Sequence, residues 1–360
     1  MRVFNLRFSN NATFYQIGSD GGLLSEPVSM DRLLLSPAER AELLVDLSGM
    51  EGESLELISY GSTLPNSAYG IAGLSTMQGV APTGYNSNEL NGSDFTLLDI
   101  NVGAQTDNPI LTIPNTLVDV FPIDESDATL TRNLQISAPN MMNNGVTGPF
   151  LFDGQSFDMN VINQTVQLGD TEIWEIFNMT MVAHPFHIHD VQFYILDRNG
   201  VIPPENERGR KDVVLVKNME TVRFITKFED HADDEVPYMY HCHMLQHEDE
   251  GLMGQFIVEG ESVGIDNSIT LPNDFVPFPA YPNPFNPTTT IRFKLVKSQQ
   301  NASLRIYDIS GRLVETLLNE KLIAGEHEIK WNGGNNPSGV YFISFETGEF
   351  FSNQKIILMK

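Results

Sequence analysis

Two short stretches decide how this chain folds and what it binds: HPFHIH at 184–189 and HCHMLQH at 241–247. Together they hold six of the eight histidines and the one cysteine of a 360-residue sequence. Alternate residues of a β-strand point to the same face. The spacing of these histidines therefore predicts two strands that carry donor side chains on defined faces.

The alternation separates the donors into two groups. His187 and His189 share one face of their strand, and His241 and His243 share one face of the other. Cys242 projects to the opposite side from its two neighbours. One strand can thus hold a metal through its cysteine on one side and further metals through its histidines on the other.

Two more histidines can complete the site around the cysteine. His247, five residues after Cys242, can loop back to the same metal, and His184 can reach it from the other strand. Thiolate sulfur and imidazole nitrogen suit copper, and one Cys with two His forms a blue-copper centre. Zinc also takes these ligands, but a structural zinc site needs four in one cluster. A nucleophilic Cys–His pair leaves 184–189 unexplained, so the pattern favours copper.

Composition restricts the partners. Asp plus Glu number 47 against 21 Lys plus Arg, which gives a net charge of −26. Such a surface repels nucleic acid and anionic membranes, so we expect no nucleic-acid partner. A solvated acidic surface of an extracellular protein explains the charge equally well. A single cysteine excludes an intrachain disulfide, and we expect no transmembrane segment because no apolar run is long enough.

Short apolar runs separated by Gly, Pro and Asn predict an all-β chain. Phe4, Leu6 and Phe8 already alternate at the start, so we expect the chain to lack a segment upstream. We predict a partial first β domain at 1–105, a linker at 106–130, a Greek-key sandwich at 131–260, a second linker at 261–280 and a small sandwich at 281–360.

The His motifs also carry a family resemblance. HPFHIH and HCHMLQHEDEGLMGQF (241–256) resemble the last cupredoxin domain of multicopper oxidases, in particular bacterial laccases, copper-efflux oxidases and bilirubin oxidases. FDGQSF (152–157) and GRKDV (209–213) resemble the same group, and residues 2–24 are similar to the middle of its second domain. The resemblance covers roughly 1–260 and implies two cupredoxin-like Greek-key sandwiches, the first incomplete.

The resemblance implies a role for each donor. The type 1 copper would take His184, Cys242 and His247, the type 2 copper His187, and the type 3 pair His189, His241 and His243. Glu248 matches a carboxylate that relays protons for dioxygen reduction, although a plain surface carboxylate is the alternative. Cys242 and Glu248 are therefore the predicted catalytic residues.

Two features depart from the family pattern. Leu252, ten residues beyond Cys242, takes the axial type 1 position where many relatives have Met. Leucine cannot coordinate, and a weaker axial ligand tends to raise the potential. In addition, residues 1–183 contain no histidine, whereas the family needs two further His-x-His pairs. We therefore expect the chain to be a fragment of a longer product, or to have a partner chain.

The C-terminal module resembles a different family. YPNPFNPTT (281–289), IYDISGRLV (306–314) and PSGVY (337–341) resemble the type A sorting domain of type IX secretion, which is an Ig-like sandwich. The resemblance implies interaction with the secretion machinery of a Bacteroidetes-like bacterium. It also implies a secreted or cell-surface location, with the periplasm as second choice. An Ig-like adhesion or spacer domain is the alternative.

The implied function is that of a laccase-like oxidase. Phenols, aromatic amines, tetrapyrroles or low-valent metal ions would give up single electrons at the type 1 copper, and four electrons would reduce dioxygen to water. The sequence has no methionine-rich insert, which favours this role over cuprous oxidation. The alternative from another class is a non-catalytic blue-copper electron carrier or copper-binding protein. A copper-free structural relative is disfavoured because the ligands are intact.

Overall fold

The regular secondary structure of the polypeptide is mostly β-strand, as predicted. The computed structural model describes residues 2–107, 109–229, 231–260, 275–278, 280–295, 300–308, 311–347 and 350–360. The chain divides into a first unit, Met1–Gly264, and a second unit, Ile265–Lys360. Most of the predicted 261–280 linker lies outside the described residues. Among the helices of the described ranges, none has the length and apolar character needed to cross a bilayer.

The first part of the first unit is a small two-sheet arrangement. Its strands are β1 (Phe4–Phe8), β2 (Phe14–Ser19), β3 (Gly22–Met30), β4 (Leu33–Leu35), β5 (Glu42–Val45), β6 (Ser54–Tyr60) and β7 (Asp94–Asn101). They form the antiparallel sheets β4-β1-β6-β7 and β3-β2-β5. Leu6, Phe8 and Phe14 lie buried in its core, so the alternation seen at the start of the sequence marks the inner face of β1.

The second part of the first unit is a larger two-sheet sandwich. Its elements are β8 (Leu130–Ser137), α1 (Met141–Asn144), β9 (Leu151–Phe152), β10 (Gln164–Gln167), β11 (Thr171–Asn178), β12 (His184–Ile188), β13 (Phe193–Arg198), β14 (Val213–Val216), β15 (Thr221–Lys227), β16 (Asp233–Cys242), α2 (Leu245–Asp249) and β17 (Met253–Glu259). The sheets are β10-β17-β16-β12-β14 and β13-β15-β11-β8-β9. Pairs β8–β11 and β10–β17 are parallel.

Aromatic rings fill the core of this sandwich. The Trp174 ring lies 5.7 Å from that of Tyr240 and 6.3 Å from that of Phe224, and Phe186 lies 6.0 Å from Tyr240. All four are at most 1% exposed. Large rings in offset and edge-on contact dominate core energetics, and β12 and β16 contribute Phe186 and Tyr240 to this aromatic core.

Residues 61–93 form an irregular segment that is nevertheless buried in part. A 3-10 turn spans Gly61–Thr63, and no strand follows until β7. Ala68, Tyr69 and Tyr85 belong to the same apolar core as the second sandwich. Ala183 donates its backbone N–H to the Ser67 carbonyl at 2.9 Å. The segment, which the sequence predicts only as long loops, is therefore docked on the sandwich; we call it the covering segment.

A buried ion pair links the two parts of the first unit. Lys211 Nζ lies 3.0 Å from Asp20 Oδ2 and 3.2 Å from Glu39 Oε1, and these side chains are 5%, 0% and 10% exposed. Burial alone would lower the pKa of Lys211, but the two carboxylates outweigh it and raise the pKa. Next to it, Arg40 makes a bidentate contact with Asp212 at 2.7 and 2.6 Å.

The second unit is a separate small sandwich. Its strands are β18 (Phe275–Pro277), β19 (Thr288–Leu295), β20 (Gln300–Asp308), β21 (Leu313–Leu322), β22 (Gly325–Asn332), β23 (Gly339–Thr347) and β24 (Phe350–Leu358). They form the sheets β18-β19-β22 and β21-β20-β23-β24. Trp331, Phe293 and Leu304 lie in its core.

Removing the buried lysine should destabilise the first unit. In Lys211→Met, the carboxylates of Asp20 and Glu39 lose their shared cation, so we expect the free energy of unfolding to fall by about 3–5 kcal/mol. Urea unfolding in a Trp331→Phe background measures it, since Trp174 is then the remaining tryptophan.

The matched control is an exposed lysine. Lys227 pairs with Glu229 at 2.7 Å, and the two side chains are 42% and 65% exposed. Lys227→Met should change the free energy of unfolding by no more than about 1 kcal/mol. Equal effects of the two substitutions would contradict a structural role for the buried pair.

Candidate metal centre

The pairing of two central strands builds the site. β12 and β16 are antiparallel neighbours, and Phe186 is opposite Cys242 while His187 is opposite His241. Because paired residues share a face and alternate residues repeat it, His184 lies on the Cys242 side of the sheet. His187 and His241 lie on the other side. The two faces predicted from the sequence are thus present.

Three donors converge on the Cys242 side, and we call them the cysteine cluster. Cys242 Sγ lies 3.7 Å from His184 Nδ1 and 3.6 Å from His247 Nδ1, and the two nitrogens are 3.1 Å apart. His247 is presented by the short helix α2. All three residues are at most 1% exposed. The Phe150 ring packs on both imidazoles, at 4.6 and 4.5 Å.

Hydrogen bonds fix which nitrogen of His184 faces the cysteine. Asn178 donates both amide hydrogens to the Val182 and Val216 carbonyls, which leaves its Oδ1 as an acceptor. Thr180 gives its hydroxyl hydrogen to that oxygen at 2.7 Å. The hydroxyl then accepts from His184 Nε2–H at 2.8 Å. The Nδ1 of His184 therefore carries a lone pair toward Cys242.

Hydrogen bonds also fix which ring nitrogen of His247 faces Cys242. The Tyr69 hydroxyl donates to the Val146 carbonyl at 2.9 Å and accepts from His247 Nε2–H at 3.0 Å. Two imidazole lone pairs and one thiol thus face a common point, with no hydrogen between the two nitrogens. This donor set fits a soft cation such as copper.

Burial sets the protonation of the cysteine cluster. Loss of hydration lowers the pKa of His247 to about 3 and lowers that of His184 well below its ordinary value. The same cause raises the pKa of the Cys242 thiol. Both effects favour the neutral forms. A bound cation favours the thiolate form of Cys242 over the neutral thiol, because a coordinating thiol is deprotonated.

Four histidines gather on the opposite face, and we call them the histidine cluster. His189 Nε2 lies 3.2 Å from His241 Nε2, and one ligand atom each from His187, His189 and His241 lies within 4.8 Å of the others. The His243 ring is 4.9 Å from that of His187 and 4.8 Å from that of His241. Burial lowers the pKa of His189 and of His243 to about 4.

Backbone carbonyls orient two of these rings. His187 Nδ1 donates to the Asp212 carbonyl at 2.7 Å, and His241 Nδ1 donates to the Cys242 carbonyl at 3.3 Å. Each bond leaves Nε2 free to bind a metal. The Glu248 carboxylate lies 3.8 Å from His241 Nδ1, so it adjoins the histidine cluster.

Leu252 lies on the cysteine side. Its carbonyl accepts from the Cys242 N–H at 3.1 Å, its N–H donates to the His247 carbonyl at 2.9 Å, and it is fully buried. Met253 pairs with His241 and so belongs to the other face. The leucine, rather than the methionine, therefore neighbours the cysteine cluster.

Several supporting residues have no signal in the sequence. Thr180 and Asn178 carry no motif, and Tyr69 lies in a stretch without periodicity. Asp212 falls within GRKDV, but nothing there indicates that its carbonyl holds His187. The structure thus brings the seven predicted donors into two clusters and adds the groups that orient them.

Two family models match parts of this chain. Residues 125–262 match the family model described as multicopper oxidase, and residues 279–359 match that of the secretion system C-terminal sorting domain. The fold is cupredoxin-like, and the family implies copper, a metal that the donors of the two clusters fit. Residues 125–262 belong to the multicopper oxidase family, and the sorting domain that follows them indicates export.

Individual curated relatives are also multicopper oxidases and laccases. The chain is 31% identical over 261 residues to a multicopper oxidase of Staphylococcus haemolyticus, covering 71% of this chain and 45% of that protein. It is 33% identical to a laccase of Haloferax volcanii, with 72% and 42% covered. The chain thus spans about half the length of the curated relatives that it matches.

Solved structures of the family are also similar. A laccase from Pediococcus acidilactici has 32% identity and a TM-score of 0.54, and the match covers 72% of this chain and 48% of the laccase. A laccase-like multicopper oxidase from Ochrobactrum has 30% identity and a TM-score of 0.57, with 72% and 53% covered.

Removing the hydroxyl that orients His184 should weaken metal binding. In Thr180→Val the Nε2–H loses its acceptor, so we expect the affinity for copper to fall about 10–100-fold. Competition titration with a chelator of known affinity measures it. Thr226 is a buried threonine whose hydroxyl donates to the Gln192 carbonyl instead. Thr226→Val should leave the affinity unchanged, and an equal loss in both variants would contradict the assignment.

Proposed function

We propose that the chain acts in a laccase-like multicopper oxidase. Phenols, aromatic amines or tetrapyrroles would be oxidised one electron at a time, and four electrons would reduce dioxygen to water. One observation carries the proposal: the cysteine and histidine clusters lie back to back, and the adjacent residues His241 and Cys242 join them. An electron that arrives at the sulfur has a short covalent route to the second cluster.

We assign the ligands accordingly. The cysteine cluster would hold the type 1 copper, His187 the type 2 copper, and His189, His241 and His243 the type 3 pair. Copper bound there supplies one-electron redox chemistry. Phe150 and Leu252 exclude water from the first cluster. Glu248, whose side chain is 29% exposed, would pass protons between solvent and the histidine cluster.

The histidine cluster needs ligands from beyond this sequence. Residues 1–183 hold no histidine, while a trinuclear centre of the family takes two further His-x-His pairs. We propose that another polypeptide segment or a partner chain supplies them. The cysteine cluster, in contrast, has its three donors within the chain. This favours a second candidate function, a non-catalytic blue-copper electron carrier.

We further propose where the protein acts. The sorting domain supports recognition by the type IX secretion machinery and a secreted or cell-surface location, with the periplasm as second choice. The strongly acidic composition suits an extracellular surface. Dioxygen and a small aromatic or metal-ion reductant would be the reacting partners.

Copper loading of the chain tests the function. We expect at least one tightly bound copper per chain with an intense visible absorption from the sulfur–copper bond, and Cys242→Ser should abolish that absorption. Metal analysis and spectroscopy measure both. Uptake of dioxygen with a phenol supports the oxidase. A blue chain that takes up no dioxygen even after addition of the segment or partner chain that carries the two further His-x-His pairs supports the carrier. Binding of zinc in preference to copper would overturn both.

The axial position should tune the potential. Leu252→Met offers the copper a weak fourth ligand, so we expect the type 1 potential to fall. Potentiometric titration of the visible absorption measures it. Met253→Leu, on the opposite face of the strand, is the control and should leave the potential unchanged. A potential that does not respond to Leu252→Met would contradict the axial assignment.

A further inference from the structure

The outward atom of the cysteine cluster is covered by a residue from another part of the chain. His247 Nε2 points away from Cys242, and the Tyr69 hydroxyl meets it at 3.0 Å. The two rings pack edge to face with their centroids 5.2 Å apart. Tyr69 comes from the covering segment, far from the two His motifs in sequence. A ligand of the cluster thus depends on a distant element for its outer hydrogen bond.

Tyr69 is itself held on several sides. Its carbonyl accepts from the Val3 N–H at 2.8 Å, and its ring packs against Tyr85 at 5.8 Å. The Tyr85 hydroxyl accepts from the Gly70 N–H at 2.9 Å and donates to the Ile71 carbonyl at 2.8 Å. These bonds tie the backbone at Tyr69 and at the two residues after it, so its hydroxyl is held in place before any metal binds.

Burial shows that the cover is closed. His184 and His247 are 0% and 1% exposed, and Tyr69 is 9% exposed. Phe150, which packs on both imidazoles, is fully buried. Solvent therefore barely reaches either histidine, and a reductant at the surface meets other side chains, Tyr69 among them, before it meets a ligand.

We propose that Tyr69 positions His247 and closes the cysteine cluster, so that electrons enter through the covering segment without contact between the reductant and a ligand histidine. This rests on the proposed function and deepens it. A phenol docked outside would lose one electron to the bound copper(II), which becomes copper(I), and would lose its proton to solvent. Tyr69 is thus a positioning residue that also limits which reductants reach the centre directly.

The positioning role is tested without metal. In the full chain carrying nitrogen-15 imidazoles, we expect His247 to be protonated at Nε2 and not at Nδ1. Tyr69→Phe should give a mixture of tautomers and a copper affinity about 10–100-fold lower. Thr76→Val is the control, because it removes from the same segment a hydroxyl that accepts from the Val80 N–H and not from His247 or from the backbone around Tyr69. Protonation at Nδ1 in the wild-type chain, or an equal effect of the control, would overturn the proposal.

The closing role is tested by the size of the reductant. The copper(II)-loaded chain is mixed anaerobically with hydroquinone, either free or coupled to dextran, and bleaching of the visible band gives the rate. Tyr69→Ala opens a path to His247, so we expect a several-fold faster reaction with the free form and no change with the coupled form. Tyr69→Leu serves if the alanine variant does not fold.

The two proposals fail in different ways. Equal rate changes for the free and the coupled reductant, or no change for either, would overturn the closing role. If no visible band forms with copper, the proposed function fails, whereas the tautomer measurement still decides the role of Tyr69.

Discussion

The antiparallel register between β12 and β16 is the constraint on which the site depends. Phe186 faces Cys242 across this pair, and His187 faces His241. A shift of one residue would exchange the faces and send the cysteine toward the histidine cluster. The aromatic core around Trp174 and Tyr240 opposes such a shift, because it would expose large rings. The register that packs the aromatic core therefore also keeps Cys242 and the histidine cluster on opposite faces of the sheet.

Part of this arrangement follows from the sequence because it is local. The period of two along a strand assigns Cys242 and His241 to opposite faces without any knowledge of the fold. The same period separates Leu252 from Met253. Paired strands lie close together, so the donors on one face form a cluster once β12 and β16 pair. The all-β character of the chain has a similar local origin in short apolar runs between turns.

The remainder is set by contacts between residues distant in sequence. Thr180 orients His184 only because Asn178 turns its amide toward Val182 and Val216. Tyr69 reaches His247 across 178 positions, from a segment whose composition predicts only loops. Neither contact leaves a periodic signal, since a single hydrogen bond constrains one residue and not a pattern. These two hydrogen bonds are determined by tertiary packing.

Burial of Cys242 has a consequence for the life of an exported protein. Outside the cytoplasm, thiols meet oxidants and form mixed disulfides, and these reactions require an accessible thiolate. Cys242 is 1% exposed, and burial raises the pKa of its thiol. The free side chain is thus both protonated and out of reach of other thiols. The fold protects its one cysteine from cross-linking and oxidation.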